Sequence, residues 1–73
     1  MKLQTLGPDK MQLTKPDGTI VFFSYGAPVA AVLEGKYYKT SRWYSENTTK
    51  HINEWLDGKD AETVDQMFFN ALL

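Results

Sequence analysis

Apolar and polar residues alternate with a period of two up to about residue 44, and with a helical period beyond it. Met11-Gln12-Leu13-Thr14 has the alternation of a half-buried strand. Thr19 to Ser24 (TIVFFS) is apolar on both faces, as a central strand is. Val29 to Leu33 (VAAVL) predicts another strand, and its paired alanines leave room for something bulky across the sheet. Tyr37 to Tyr44 predicts a further one, with Tyr38, Thr40, Arg42 and Tyr44 on one face and Tyr37, Lys39, Ser41 and Trp43 on the other. The connections are short, so the strands should form an antiparallel meander. In Lys15-Pro16-Asp17-Gly18, proline fixes the first corner and glycine supplies the left-handed residue that closes a hairpin. Tyr25-Gly26-Ala27-Pro28 and Glu34-Gly35-Lys36 turn the chain twice more. Gly7-Pro8-Asp9 sets residues 1–10 apart as a loose arm or a short edge strand.

Two helices should follow. Thr48, Ile52, Trp55 and Leu56 share one face of the first, and Gly58 stands where a left-handed C-terminal cap belongs. Ser45, Asn47 or Thr48 can cap its start, with Asn47 or Thr48 favoured. In the second, Asp60 would be the cap and Val64, Met67, Phe68, Ala71 and Leu72 the apolar stripe. The pattern predicts a single α+β domain over residues 1–73. Its expected architecture is a three- or four-stranded antiparallel meander followed by two C-terminal helices packed on one face.

Composition narrows the picture. The 73 residues are 42% apolar, with two Trp, four Tyr and four Phe, which suits one small globular core. There is no cysteine and one histidine, so neither disulfides nor a zinc cluster is expected. No apolar run approaches the roughly 20 residues that span a bilayer, and the first residues lack a signal-peptide core. A cytoplasmic location is the expectation. Residues 36–51 carry Lys36, Lys39, Arg42 and Lys50 against Glu46, a net charge of +3. Residues 52–73 carry Lys59 against Glu54, Asp57, Asp60, Glu62 and Asp65, a net charge of −4. A basic middle therefore precedes an acidic tail.

The motifs F-S-Y-G-x-P-V-A-A at Phe23 to Ala31 and Y-S-x-x-T-x-K-H-I-N at Tyr44 to Asn53 resemble small uncharacterised proteins encoded by bacteriophages. The likeness covers roughly residues 19–58. It implies a phage-encoded accessory protein acting in the bacterial cytoplasm, and it carries no assigned activity.

The residues offer little catalytic chemistry. His51 has Ser45, Thr48, Thr49 and Glu54 nearby in sequence, but no nucleophile elbow accompanies them. The glycines are scattered at turns, so no phosphate loop, nucleotide site or other cofactor is expected. Binding is the better reading. Lys50 and His51 lie early in the first helix and Asp57 at its end, the reverse of what the macrodipole favours. Cations beside a helix N-terminus suit an anion, so Arg42, Tyr44, Thr48, Thr49, Lys50 and His51 form the candidate binding corner. The expected partner is a protein of host or phage. The alternative is weak nucleic-acid binding, since Tyr37, Tyr38, Trp43 and Tyr44 interleave with Lys36, Lys39 and Arg42. Phe69 and Leu73 fall beside the stripe of the second helix and make a candidate self-association face.

Overall fold

The computed structural model describes residues 2–73; Met1, the first residue of the expected arm, lies outside them. One six-stranded sheet runs in chain order: β1 (Lys2–Gly7), β2 (Lys10–Thr14), β3 (Ile20–Ser24), β4 (Ala27–Leu33), β5 (Lys36–Thr40) and β6 (Ala61–Val64). Strands β1 to β5 pair antiparallel, and β6 joins β5 in parallel after α1 (Glu46–Leu56) has crossed over. A five-residue helix, α2 (Gln66–Asn70), follows. The α+β class holds, with six strands rather than three or four. Among the described residues, no helix is long and apolar enough to cross a membrane.

The turns explain the meander. Gly18 N–H donates to Lys15 O at 3.0 Å and Lys15 N–H to Thr19 O at 2.8 Å, with Gly18 at φ 90°. Thr19 N–H also donates to Asp17 Oδ1 at 2.9 Å, and that bond holds the Asp17 carboxyl below its ordinary pKa. Tyr25-Gly26 and Glu34-Gly35 are two-residue hairpin loops with positive φ at both positions, a geometry whose twist matches the flanking strands. Opposite β3, the register shifts between Phe22 and Phe23, leaving Val29 as an extra residue between Pro28 and Ala30. Pro28 is accommodated inside a central strand because it sits at that bulge.

Residues opposed across the ladders share a face, which assigns the two sides. Gln12, Phe22, Ala30 and Lys39 lie in one row. There Phe22, Val29 and Ala30 form a core with Ile52 and Leu56 of α1. The ring of Trp55 stacks on Phe22 at 5.2 Å, meets the edge of Tyr37 at 6.0 Å, and donates Nε1–H to Gln12 Oε1 at 3.0 Å. Leu13, Val21, Ala31 and Tyr38 form the alternate row on the other side. Phe68 packs on Tyr38 at 4.8 Å, and Phe69 beside it is fully buried.

Three expectations are corrected here. The helices do not share a face: α1 covers one side of the sheet and α2 the other. The long second helix capped by Asp60 is instead β6, then a helix capped by Asp65, whose Oδ1 accepts Met67 N–H at 3.1 Å. The free edge of β5 offers backbone partners to Ala61–Val64, and β-branched Thr63 and Val64 prefer that ladder to a helix. Finally, Phe69 belongs to the interior, so it cannot serve a self-association face; Leu73 is exposed.

Two outcomes test this architecture. Trp55→Ala is expected to cost about 3 kcal/mol in urea unfolding, since it removes a large ring from the seam between α1 and the sheet. An unchanged midpoint would show that the Phe22–Trp55 stack does not anchor the helix. Gly18→Val is expected to cost about 1–3 kcal/mol through backbone strain alone, because no atom lies within 4 Å of a Cβ built there. Equal melting of Gly18→Val and the unaltered chain would refute the turn geometry.

Candidate functional site

The segment between β5 and α1 leaves the sheet at the carboxyl end of the parallel pair β5–β6. Crevices at that end of parallel strands are common ligand positions in open sheets. A groove of about 250 Å³ lies there, lined among others by Lys39, Arg42, Trp43, Thr49, Asn53 and Thr63. None of its lining residues is acidic.

Hydrogen bonds fix the floor of the corner. Thr40 Oγ1 accepts from Arg42 N–H at 3.1 Å and donates to Gln66 Oε1 at 2.8 Å. Gln66 Nε2 in turn donates to the Pro28 carbonyl. The strand end, α2 and the β4 bulge are thus tied to the backbone that carries Arg42. The Arg42 guanidinium lies 5.2 Å from the Tyr44 ring centroid, and Tyr44 packs inward on the core of α1. Trp43 points outward and is 71% exposed, an unusual position for so large an apolar ring.

The start of α1 is capped by Ser45 rather than by Asn47 or Thr48. Ser45 is extended, its Oγ accepts Thr48 N–H at 3.1 Å, and its carbonyl accepts Thr49 Oγ1–H at 3.1 Å. Glu46 occupies the first turn, so the chain itself supplies the negative charge that the helix dipole favours. At the other end Asp57 takes the left-handed cap conformation with φ 50°, followed by Gly58 at φ 79°.

The six residues expected to share one site are divided among the faces of α1. Arg42 and Thr49 line the groove, and Tyr44 packs inward beside the Arg42 guanidinium. Thr48 is buried, with its hydroxyl 3.3 Å from Ser24 Oγ and 3.2 Å from Ser45 Oγ. Lys50 is exposed on the outward face. His51 turns to the opposite flank, where Nδ1 lies 2.8 Å from Ser24 Oγ and the ring tilts against Tyr25 at 5.5 Å. Lys39 and Trp43, which the sequence offers only for the nucleic-acid alternative, also line the groove, as do Asn53 and Thr63, which belong to neither sequence-derived set. Strand alternation already placed Lys39 with Trp43, and Asn53 is one helical turn beyond Thr49. Thr63 carries no such signal, because the local pattern predicts helix across its strand.

A model for a family of unknown function, DUF8033, matches residues 1–71. No curated protein and no solved structure matches the chain. With all but its last two residues covered, the chain belongs to DUF8033, a family of unknown function.

Proposed function

We propose that the protein is a non-enzymatic interaction module that grips an acidic segment of a partner protein in the groove between β5, β6 and α1. The carrying observation is Trp43, 71% exposed beside Lys39 and Arg42 in a groove lined by no carboxylate. Tryptophan and arginine dominate the energetics of protein interfaces, and a charge-matched rim sets the choice of partner. The resemblance of its two motifs to phage proteins supports a phage-encoded accessory role toward a host or phage partner in the bacterial cytoplasm. The non-enzymatic reading is supported by the state of the one nucleophile–base pair within hydrogen-bond distance among the described residues, Ser24 with His51. Ser24 is 1% exposed, and its Oγ is shared with Thr48, so no substrate reaches it.

The same cations and ring favour single-stranded nucleic acid as a second reading, since bases stack on tryptophan and phosphates follow lysine and arginine. Charge placement makes it the weaker one. Lys36, which would extend the basic track along β5, is paired with Glu62 at 3.2 Å, and Asp57 and Asp60 stand exposed at the other end of α1.

Capture from bacterial lysate on the immobilised chain separates the two. A nuclease-resistant partner is expected, with recovery lowered at least about tenfold by Trp43→Ala and unaffected by Met67→Ala on the far side of the sheet. Loss of capture on nuclease treatment would transfer the groove to nucleic acid. Equal recovery with Trp43→Ala would remove the groove from the interface.

A further inference from the structure

On the opposite flank of α1 a second, smaller cleft of about 140 Å³ is lined by Leu6, Lys10, Phe22, His51, Glu54 and Trp55. Its accessible apolar surface comes from Leu6 and from Trp55, whose ring is backed by the buried Phe22, and its polar part from Lys10, His51 and Glu54. We infer that this cleft binds a small free monocarboxylate with a flat apolar body, the acid group held by Lys10 and His51 and the body by Leu6 and Trp55.

The placement of Lys10 is the first support. Gly7 does not use a positive φ, unlike the four glycines at 18, 26, 35 and 58, so backbone conformation does not call for glycine there. A Cβ at position 7 would stand 2.8 Å from Lys10 Cε, so a side chain there would meet only the mobile end of the lysine and push it aside. The missing side chain lets the Lys10 stem lie across the β1–β2 turn and into the cleft. Lys10 is half-buried there and, among the described residues, has no carboxylate within ion-pair distance. A partly desolvated ammonium without a counter-ion is a position that an anion stabilises.

His51 is the second support. Its Nδ1 is fixed 2.8 Å from the buried Ser24 Oγ, whose neighbour Thr48 Oγ1 is also held by Ser45. Nδ1 is engaged by Ser24, which leaves Nε2, without a partner among the described residues, as the ring nitrogen that donates to a ligand in the Nε2–H tautomer or as imidazolium. The buried hydroxyls thus orient the ring with Nε2 free. Glu54 on the same rim disfavours a second negative charge, which selects a monoanion over a dicarboxylate or a phosphate. The volume is below the 300–1,000 Å³ of drug-sized sites, which restricts the occupant to a fragment-sized acid.

Phenylacetate is the probe and phenylacetamide its neutral counterpart, titrated while amide and indole N–H resonances are followed. Phenylacetate is expected to give saturable shifts at Leu6, Lys10, His51 and the Trp55 indole, and phenylacetamide to bind about tenfold more weakly or not at all. Lys10→Met should cost phenylacetate about the same factor without changing the melting temperature. Gly7→Ala should also weaken it by displacing the lysine stem. Equal binding of acid and amide, absence of saturation, or shifts confined to Arg42 and Trp43 would each overturn the assignment. The acid–amide comparison uses the unaltered chain, so it decides the matter even if Gly7→Ala fails to fold.

Discussion

The contact on which the rest of this small protein depends is the stack of Trp55 on Phe22. It seats α1 across the sheet, and the small Ala30 and bulged Val29 beside Phe22 give the helix a surface it can approach. The indole nitrogen is satisfied by Gln12, so the ring is fixed in direction as well as in place. Once the helix is seated, its two flanks become the walls of the two concavities, one basic and exposed, the other small and largely apolar. Neither depression is a property of a loop alone. Both are what remains uncovered when an eleven-residue helix lies on a wider sheet.

A second level of order comes from the edge of β5. Joining β6 in parallel requires the chain to cross the sheet, and α1 is that crossing. Beyond β6 the chain passes to the other side, where Phe69 is buried and Lys15 Nζ donates to the carbonyl of Leu72 at 2.8 Å. Gln66 links the two arrangements, with one end on Thr40 and the other on Pro28. The backbone that presents Arg42 is thereby held from both faces of the sheet.

The sequence made much of this legible, and the failures share a cause. Lys15-Pro16-Asp17-Gly18, Tyr25-Gly26 and Glu34-Gly35 carry their turn geometry in three or four residues, and the spacing of Thr48, Ile52, Trp55 and Leu56 carries the helix face. Ala61-Glu62-Thr63-Val64 carries no such signal. Its strand exists because an unpaired edge is waiting more than twenty residues upstream, and local propensity cannot see that. The candidate site divides along the same line. Arg42 and Thr49, near in sequence, line one groove. His51 was misplaced because the atom that orients it, Ser24 Oγ, belongs to a strand 27 residues away.

The parallel attachment of β6 also sets an order of assembly. Strands β1 to β5 close through local turns, whose loop-closure entropy is small, whereas β6 needs the whole crossover to be in place first. The tail that follows is therefore the last cover to close and the first to open. Each opening uncovers Val21 and Ala31 in the middle of the sheet, on strands as apolar as Ile20-Val21-Phe22-Phe23. Such a run, with high β-propensity and no charge, is the kind that nucleates intermolecular strand pairing. Packed on β4, the short C-terminal helix keeps part of that sheet face out of contact with other chains.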